Sequence, residues 1–189
     1  MNGTNVLHME QMIKYEILLQ LAKEEIHVRA LAKKLGINHM AVSRTLKLLI
    51  DENAVDYKEK GRNKVYLIKK VLEAKNLLIM AEMYQLNRWI EKYPRLRKIV
   101  DAVQKNNNIK LSILFGSYAK GIPKDNSDID VYIEGKDRKL KEELSLVDSN
   151  LSIKIGDFDL DNLLVKEIIK NHVIIKGAER YYGKTGFFD

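Results

Sequence analysis

The residues best equipped for chemistry lie in LFGSYAKGIPKDNSDIDVYIE. An apolar run ends at Gly116-Ser117, ten residues intervene, and Asp128-Ile129-Asp130 opens a second apolar run. In a strand, residues two apart share a face, so Asp128 and Asp130 present their carboxylates side by side. Two carboxylates facing one cleft suit Mg²⁺, which takes hard oxygen ligands and shares its shell with phosphate. A glycine at 116 lets a triphosphate approach the backbone closely, and Ser117 adds a hydroxyl and an N–H for a phosphate oxygen. Lys120 and Lys124 in the intervening loop are either phosphate contacts or ordinary solvated lysines.

The surrounding residues must hold that pair in place. IKLSILF and DIDVYIE read as strands joined by the glycine-containing loop. A polar helix is expected over 136–149, a third strand at LSIKI (151–155), a helix near 160–171 and a short strand at VIIK. Upstream, 71–105 reads as helix interrupted near Tyr93-Pro94, because proline removes a helix donor and restricts the residue before it. Asn106-Asn107-Asn108 closes that stretch.

Gly-Ser, about ten residues, then Asp-x-Asp on a strand resembles the nucleotidyltransferase superfamily related to DNA polymerase β, in particular its minimal members. The resemblance spans roughly 94–180, and HVIIKGAERYY is similar to the close of such domains. It implies an NTP, typically ATP, bound with Mg²⁺, and transfer of a nucleoside monophosphate to an acceptor hydroxyl with release of pyrophosphate. Minimal members often act as antitoxins that modify a toxin, so the resemblance also implies a protein acceptor.

The chain departs from that pattern in one respect. Active members carry a third carboxylate on a neighbouring strand. Here the strand is Leu151-Ser152-Ile153-Lys154-Ile155, with Leu151, Ile153 and Ile155 expected toward the core and Ser152 and Lys154 toward the cleft. Asp157 and Asp159 replace the missing acid only if the strand runs further. Lys154 would otherwise put a positive charge where a second metal belongs, and nucleotide binding survives that objection better than catalysis.

The N-terminal part reads differently. Ile13, Ile17, Leu18 and Leu21 make one helical face. Val28, Leu31, Ala32 and Leu35 define a second helix, stopped by Gly36. Asn38 is a suitable N-cap for a third helix whose Val42, Leu46, Leu49 and Ile50 point inward. His39, Ser43, Arg44 and Lys47 remain on its outer face. Two strand-like runs, AVDYK and KVYLIK, then flank EKGRN, with Lys58, Lys60, Arg62 and Lys64 around Gly61. Residues 10–70 resemble the winged helix-turn-helix family of transcription regulators. That resemblance implies double-stranded DNA as partner, with His39, Ser43, Arg44 and Lys47 on the helix entering the major groove and Lys60, Arg62 and Lys64 on the wing. Arg44 can donate two parallel hydrogen bonds to a guanine edge, and wing lysines neutralise phosphates. A winged helix used for protein contacts is the alternative.

Charge supports the polyanion. The 189 residues carry a net +7, and residues 1–70 hold 13 Lys+Arg against 8 acids. Residues 71–108 hold 7 against 4, whereas 109–189 hold 13 against 14, so the basic excess lies in the first 108 residues. The absence of cysteine excludes disulfides, cysteine zinc sites and thiol catalysis. No apolar run approaches the ~20 residues that span a bilayer, so no membrane role is expected. MNGTNVLHMEQMIKYE lacks the basic-then-apolar order of a signal peptide, and a cytoplasmic protein is the expectation.

Residues 71–91 are apolar over a wide arc. Leu72, Leu78, Met80, Met83, Tyr84, Leu86, Trp89 and Ile90 require partners, either within the chain or across a homodimer. The expected architecture is therefore α+β with two domains. These are a winged helix-turn-helix at 8–70, a linker or dimerisation helix at 71–93, and an α/β nucleotidyltransferase domain with a small mixed sheet at 94–182. The functional expectation is a DNA-binding transcriptional regulator that binds Mg-NTP and transfers AMP to a protein acceptor. The alternative is a non-catalytic regulator whose degenerate domain senses nucleotide or mediates protein contacts.

Overall fold

Capping and apolar spacing account for the first three helices of the computed structural model, which describes residues 3–137 and 139–189. Helix α1 (Gly3–Leu21) begins well before Ile13, the first residue of the face read from sequence, and buries Ile17, Leu18 and Leu21. Helix α2 (Val28–Leu35) stops where Gly36 adopts φ +64°, a left-handed conformation costly for residues with a Cβ. The N–H groups of Gly36 and Ile37 then return to the carbonyls of Lys33 and Ala32. Asn38 caps α3 (His39–Asp51) by accepting from the Met40 N–H at 2.8 Å. Val42, Leu46 and Leu49 face inward as expected, with Thr45 beside them, and Ile50 is half-buried. Full burial of each aliphatic side chain contributes about 1.5–3 kcal/mol, which fixes this face of α3 against α1 and α2.

Strand β1 (Ile26–His27) is too short for the sequence pattern to reveal. It pairs with β3 (Asn63–Ile68), which forms an antiparallel hairpin with β2 (Val55–Lys60), giving the sheet order β1-β3-β2. Three helices followed by a basic hairpin, with a short strand between the first two helices, make a winged helix.

The chain divides into two compact units, Met1–Tyr84 with Phe188–Asp189, and Gln85–Phe187. The division falls inside α4 (Leu72–Lys92), so the helix expected to link two domains contributes to both. Pro94 separates α4 from α5 (Leu96–Lys105).

The second unit is built on a four-stranded mixed sheet of order β6-β5-β4-β7. Its strands are β4 (Ser112–Phe115), β5 (Ile129–Glu134), β6 (Leu151–Gly156) and β7 (Val173–Lys176), with only the β5–β6 pair parallel. The helices are α6 (Gly116–Ala119), α7 (Lys139–Ser145), α8 (Leu163–Lys170) and α9 (Ala178–Thr185). Arg138, within the helix expected over 136–149, lies outside the described residues. Neither α6 nor α9 was expected from the sequence, and β4 starts later than the run from Ile109.

Strand alternation gives the sheet two faces. Leu114, Val131, Ile133, Ile153, Val173 and Ile175 form one core with Leu96, Ile99, Val100 and Val103 of α5 and with Leu140 and Leu144 of α7. The opposite face carries the side chains alternating with these, among them Asp130, Tyr132, Ser152 and Lys154. There Tyr132 meets Phe158 edge-on at 6.0 Å, and Phe158 meets Tyr181 of α9 at 5.7 Å.

Candidate nucleotide site and nucleic-acid interface

Each side chain of the candidate nucleotide site is placed by a specific local device. Antiparallel pairing of β4 with β5 sets Phe115 opposite Asp130, so the chain leaving β4 turns directly over that carboxylate. The turn is Gly116, at φ +70°. A Cβ there would stand 2.3 Å from Asp130 Oδ2 and 3.2 Å from its Cγ, so any side chain at 116 would force the turn or the carboxylate to shift. Helix α6 follows at once, tied by the Lys120 N–H to the Gly116 carbonyl and by the Ile122 N–H to the Ser117 carbonyl. Behind it, Trp89 Nε1 donates to the Tyr118 carbonyl at 2.9 Å, and Tyr93 packs edge-on against the Tyr118 ring. The loop then closes where the Lys124 N–H donates to Ser127 Oγ at 2.8 Å and the Ser127 N–H returns to the Lys124 carbonyl. Asp128 emerges exposed from this loop, and Asp130 is half-buried on the strand.

Burial raises the Asp130 carboxyl above its ordinary range, opposed by a hydrogen bond from Ser152; the Asp128 charge adds to the rise and Lys154 subtracts from it. The parallel register explains the neighbours, since Ser152 stands opposite Asp130 and Lys154 opposite Tyr132. Ser152 and Lys154 therefore line the carboxylate face, as the alternation of β6 requires. Neither Asp157 nor Asp159 replaces the third acid from the strand. Strand β6 ends at Gly156, and Asp157 is exposed with Lys136 at 3.6 Å. Among the described residues, no cluster of three or more acids or histidines could hold a metal ion.

Gly116, Ser117, Asp128 and Asp130 thus lie together where the central strand β4 ends and its partner β5 begins. Lys120 is paired with Glu167 of α8, at 2.8 Å. Lys124 is exposed on the loop. Of the residues that anchor α6, Trp89 was read from sequence only as apolar bulk and Tyr93 only as part of the break at Pro94, and nothing local signals their role.

Residues 97–183 match the protein family described as polymerase beta, nucleotidyltransferase. This segment is a nucleotidyltransferase-family domain. No curated relative matches the chain by sequence. Among solved structures, similarity is found to the homodimeric winged helix-turn-helix DNA-binding domain of a possible ArsR-family transcriptional regulator from Mycobacterium bovis. That likeness has 19% identity and a TM-score of 0.32, and covers 48% of this chain and 90% of the other. The winged-helix assignment rests instead on the order of helices and strands described above.

Within the nucleotidyltransferase-family domain, Asp128 and Asp130 fit one Mg²⁺, because that ion commonly uses one or two carboxylates and completes its shell with water and phosphate oxygens. A second metal on the β6 side does not fit, since a hydroxyl and an ammonium stand where a further acid is needed.

The first unit presents its polar residues separately. His39, Arg44 and Lys47 are exposed on α3, and Ser43 is half-buried. Met40, 73% exposed, stands among them as an apolar contact that the sequence reading passed over. Gly61 and Arg62 form the hairpin turn, flanked by the opposed pair Lys60 and Asn63. Lys64 lies over the Tyr57 ring at 3.8 Å, and Lys58 pairs with Glu25 at 2.9 Å. Lys60 and Arg62 are exposed at the tip of the wing.

Proposed function

We propose that this protein is a DNA-binding transcriptional regulator whose nucleotidyltransferase-family domain binds a Mg²⁺–nucleoside triphosphate. The observation that carries the reading is the contact of Gly116 with the Asp130 carboxylate. It leaves a bare backbone beside the Asp130 carboxylate, two residues after Asp128, which is what a phosphate chain and its cation require together. Asp128 and Asp130 would hold the ion, and Gly116 and Ser117 would offer backbone and hydroxyl to phosphate. Bound there, Mg²⁺ neutralises phosphate charge and fixes the orientation of the triphosphate. ATP is the first nucleotide to test. Calorimetric titration with MgATP is expected to saturate at one site and to lose its heat in Asp128→Asn/Asp130→Asn. Absence of binding by ATP and by the other NTPs would remove the nucleotide from the proposal.

Transfer of AMP to a protein hydroxyl is the more demanding reading. Ser152 and Lys154 favour binding without transfer, because a second metal clamping attacking and leaving oxygens has no acid on β6. On this reading the bound nucleotide is a signal and not a substrate.

A homodimer is part of the proposal. Leu72, Met80 and Met83 of α4 are exposed, and all three fall within the first unit. Met80→Glu/Met83→Glu is expected to shift the sedimentation coefficient from dimer to monomer, and a wild-type chain that sediments as a monomer would exclude this surface.

A further inference from the structure

Met40 is the exposed apolar residue in the first turn of α3, at 73% exposure, where Ala41 is half-buried and Val42 buried. Its backbone is held in place, because the Met40 N–H donates to Asn38 Oδ1 at 2.8 Å. At 3.6 residues per turn, Met40, Arg44 and Lys47 fall in one narrow arc, opposite the buried Val42, Leu46 and Leu49 that seat the helix. A single exposed methionine needs no explanation by itself. This one heads a cationic stripe. Arg44 and Lys47 are exposed in line with it, and the acid of α3, Asp51, stands about 16 Å further along the axis. Such a stripe favours a polyanion, and at its head it offers a flexible, polarisable apolar side chain. One group of duplex DNA answers that description. In the major groove the bases present hydrogen-bond donors and acceptors, and thymine alone adds an apolar group, its 5-methyl. The first residues of the second helix of a helix-turn-helix are those that meet base edges.

We infer that Met40 reads a thymine methyl in the major groove, one or two base pairs from the base read by Arg44. The inference rests on the reading of the first unit as DNA-binding. Helical geometry sets the spacing. Four residues of α3 advance about 6 Å along its axis, and successive bases of one strand lie about 3.4 Å apart. The two side chains then recognise different chemistry: Arg44 donates hydrogen bonds to a base edge, whereas Met40 buries a methyl and makes no hydrogen bond to the base. Met40 therefore distinguishes thymine from uracil, which differ by that methyl and pair identically.

The probe is a duplex selected from a randomised library by the full chain, remade with uracil in place of thymine at one position at a time. Affinities are read by fluorescence anisotropy. For the unaltered protein, uracil at one thymine per bound α3 is expected to weaken binding about fourfold, the effect of one buried methyl. Uracil at the remaining thymines should leave affinity unchanged. Met40→Ala keeps a good helix former at an exposed position. It is expected to weaken the thymine duplex by a similar factor, to bind the thymine and uracil forms equally, and to retain its affinity for random duplex. A selected duplex indifferent to every methyl would overturn the inference and leave DNA binding standing. So would a Met40→Ala chain that still prefers thymine to uracil, because another side chain would then hold the methyl. Equal weakening of selected and random duplex by Met40→Ala would overturn it as well, since the contact would carry no sequence preference. If no duplex is enriched, the DNA-binding reading falls together with the inference, and Met40 is left for a protein contact.

Discussion

Gly116 and Asp130 stand so close that a methyl group on the glycine would come within 2.3 Å of the carboxylate oxygen Oδ2. The contact arises from register, because Phe115 pairs with Asp130 and the chain turns immediately afterwards. Gly116→Ala therefore forces either the turn or the carboxylate to move. The left-handed conformation alone costs an alanine about 1–2 kcal/mol. MgATP affinity measured by calorimetry is expected to fall at least about thirtyfold, equivalent to ~2 kcal/mol. Unchanged affinity would place the nucleotide elsewhere.

The β6 positions beside Asp130 lead to a gain-of-site prediction. Ser152 hydrogen-bonds to Asp130, and Lys154 lies within electrostatic reach of it. Ser152→Asp/Lys154→Ser supplies the acid the strand lacks and removes the competing charge. In the presence of a non-hydrolysable ATP analogue, Mn²⁺ titrated by paramagnetic resonance is expected to bind at about one ion per wild-type chain and about two per variant, since each added carboxylate completes a hard-ion shell. A wild-type chain that already takes two ions would show that the missing acid is supplied by another residue.

How much of this was legible in the sequence depends on how local each cause is. The Gly36 stop, the Asn38 cap and the break at Pro94 are written within a few residues and appear where the sequence puts them. The outward placement of Ser152 and Lys154 followed from period-two alternation alone. Strand β1 escaped because two residues show no period, and its pairing with Tyr66 and Val65 is long-range. The pairing of Lys120 with Glu167 and the Trp89 bond to Tyr118 join residues far apart in the chain, so spacing could not reveal them. Asp157 was a conditional candidate only because the end of β6 could not be read to the residue.

Glu134 predicts how the C-terminal unit responds to acid. Its side chain is 9% exposed and accepts from Arg180 and Lys184 of α9. Burial raises its pKa, but the hydrogen bonds and charges of those two residues outweigh burial and hold it below the ordinary range. A folded-state pKa below the unfolded one contributes stability at neutral pH that is lost as pH falls through the folded value. Glu134→Gln should be less stable near pH 7 by on the order of 1–2 kcal/mol, a modest figure because both cations are partly exposed and screened. As pH falls through the folded-state value and the wild-type carboxyl takes up its proton, urea midpoints of the two proteins should converge. A difference that persists there would mean the glutamine acts through packing and not through charge.

The winged helix makes separable claims about sequence reading and phosphate contact. Arg44 is exposed on α3, whereas Lys60 and Arg62 are exposed at the hairpin tip. A guanidinium donating to a guanine edge contributes discrimination between base pairs, about 1–3 kcal/mol for a good bidentate contact. Arg44→Ala is therefore expected to lower affinity for a selected operator while leaving binding to random duplex nearly unchanged. A lysine or arginine on a phosphate releases counterion, and each such contact contributes about 0.9 to the slope of log K against log salt. Lys60→Ala/Arg62→Ala should therefore weaken operator and random duplex alike and flatten that slope by up to about 1.8. Fluorescence anisotropy over a salt series measures both effects on the same duplexes. Operator binding that is insensitive to all three substitutions would take DNA recognition away from α3 and the wing, and leave the winged helix as a surface for protein contacts.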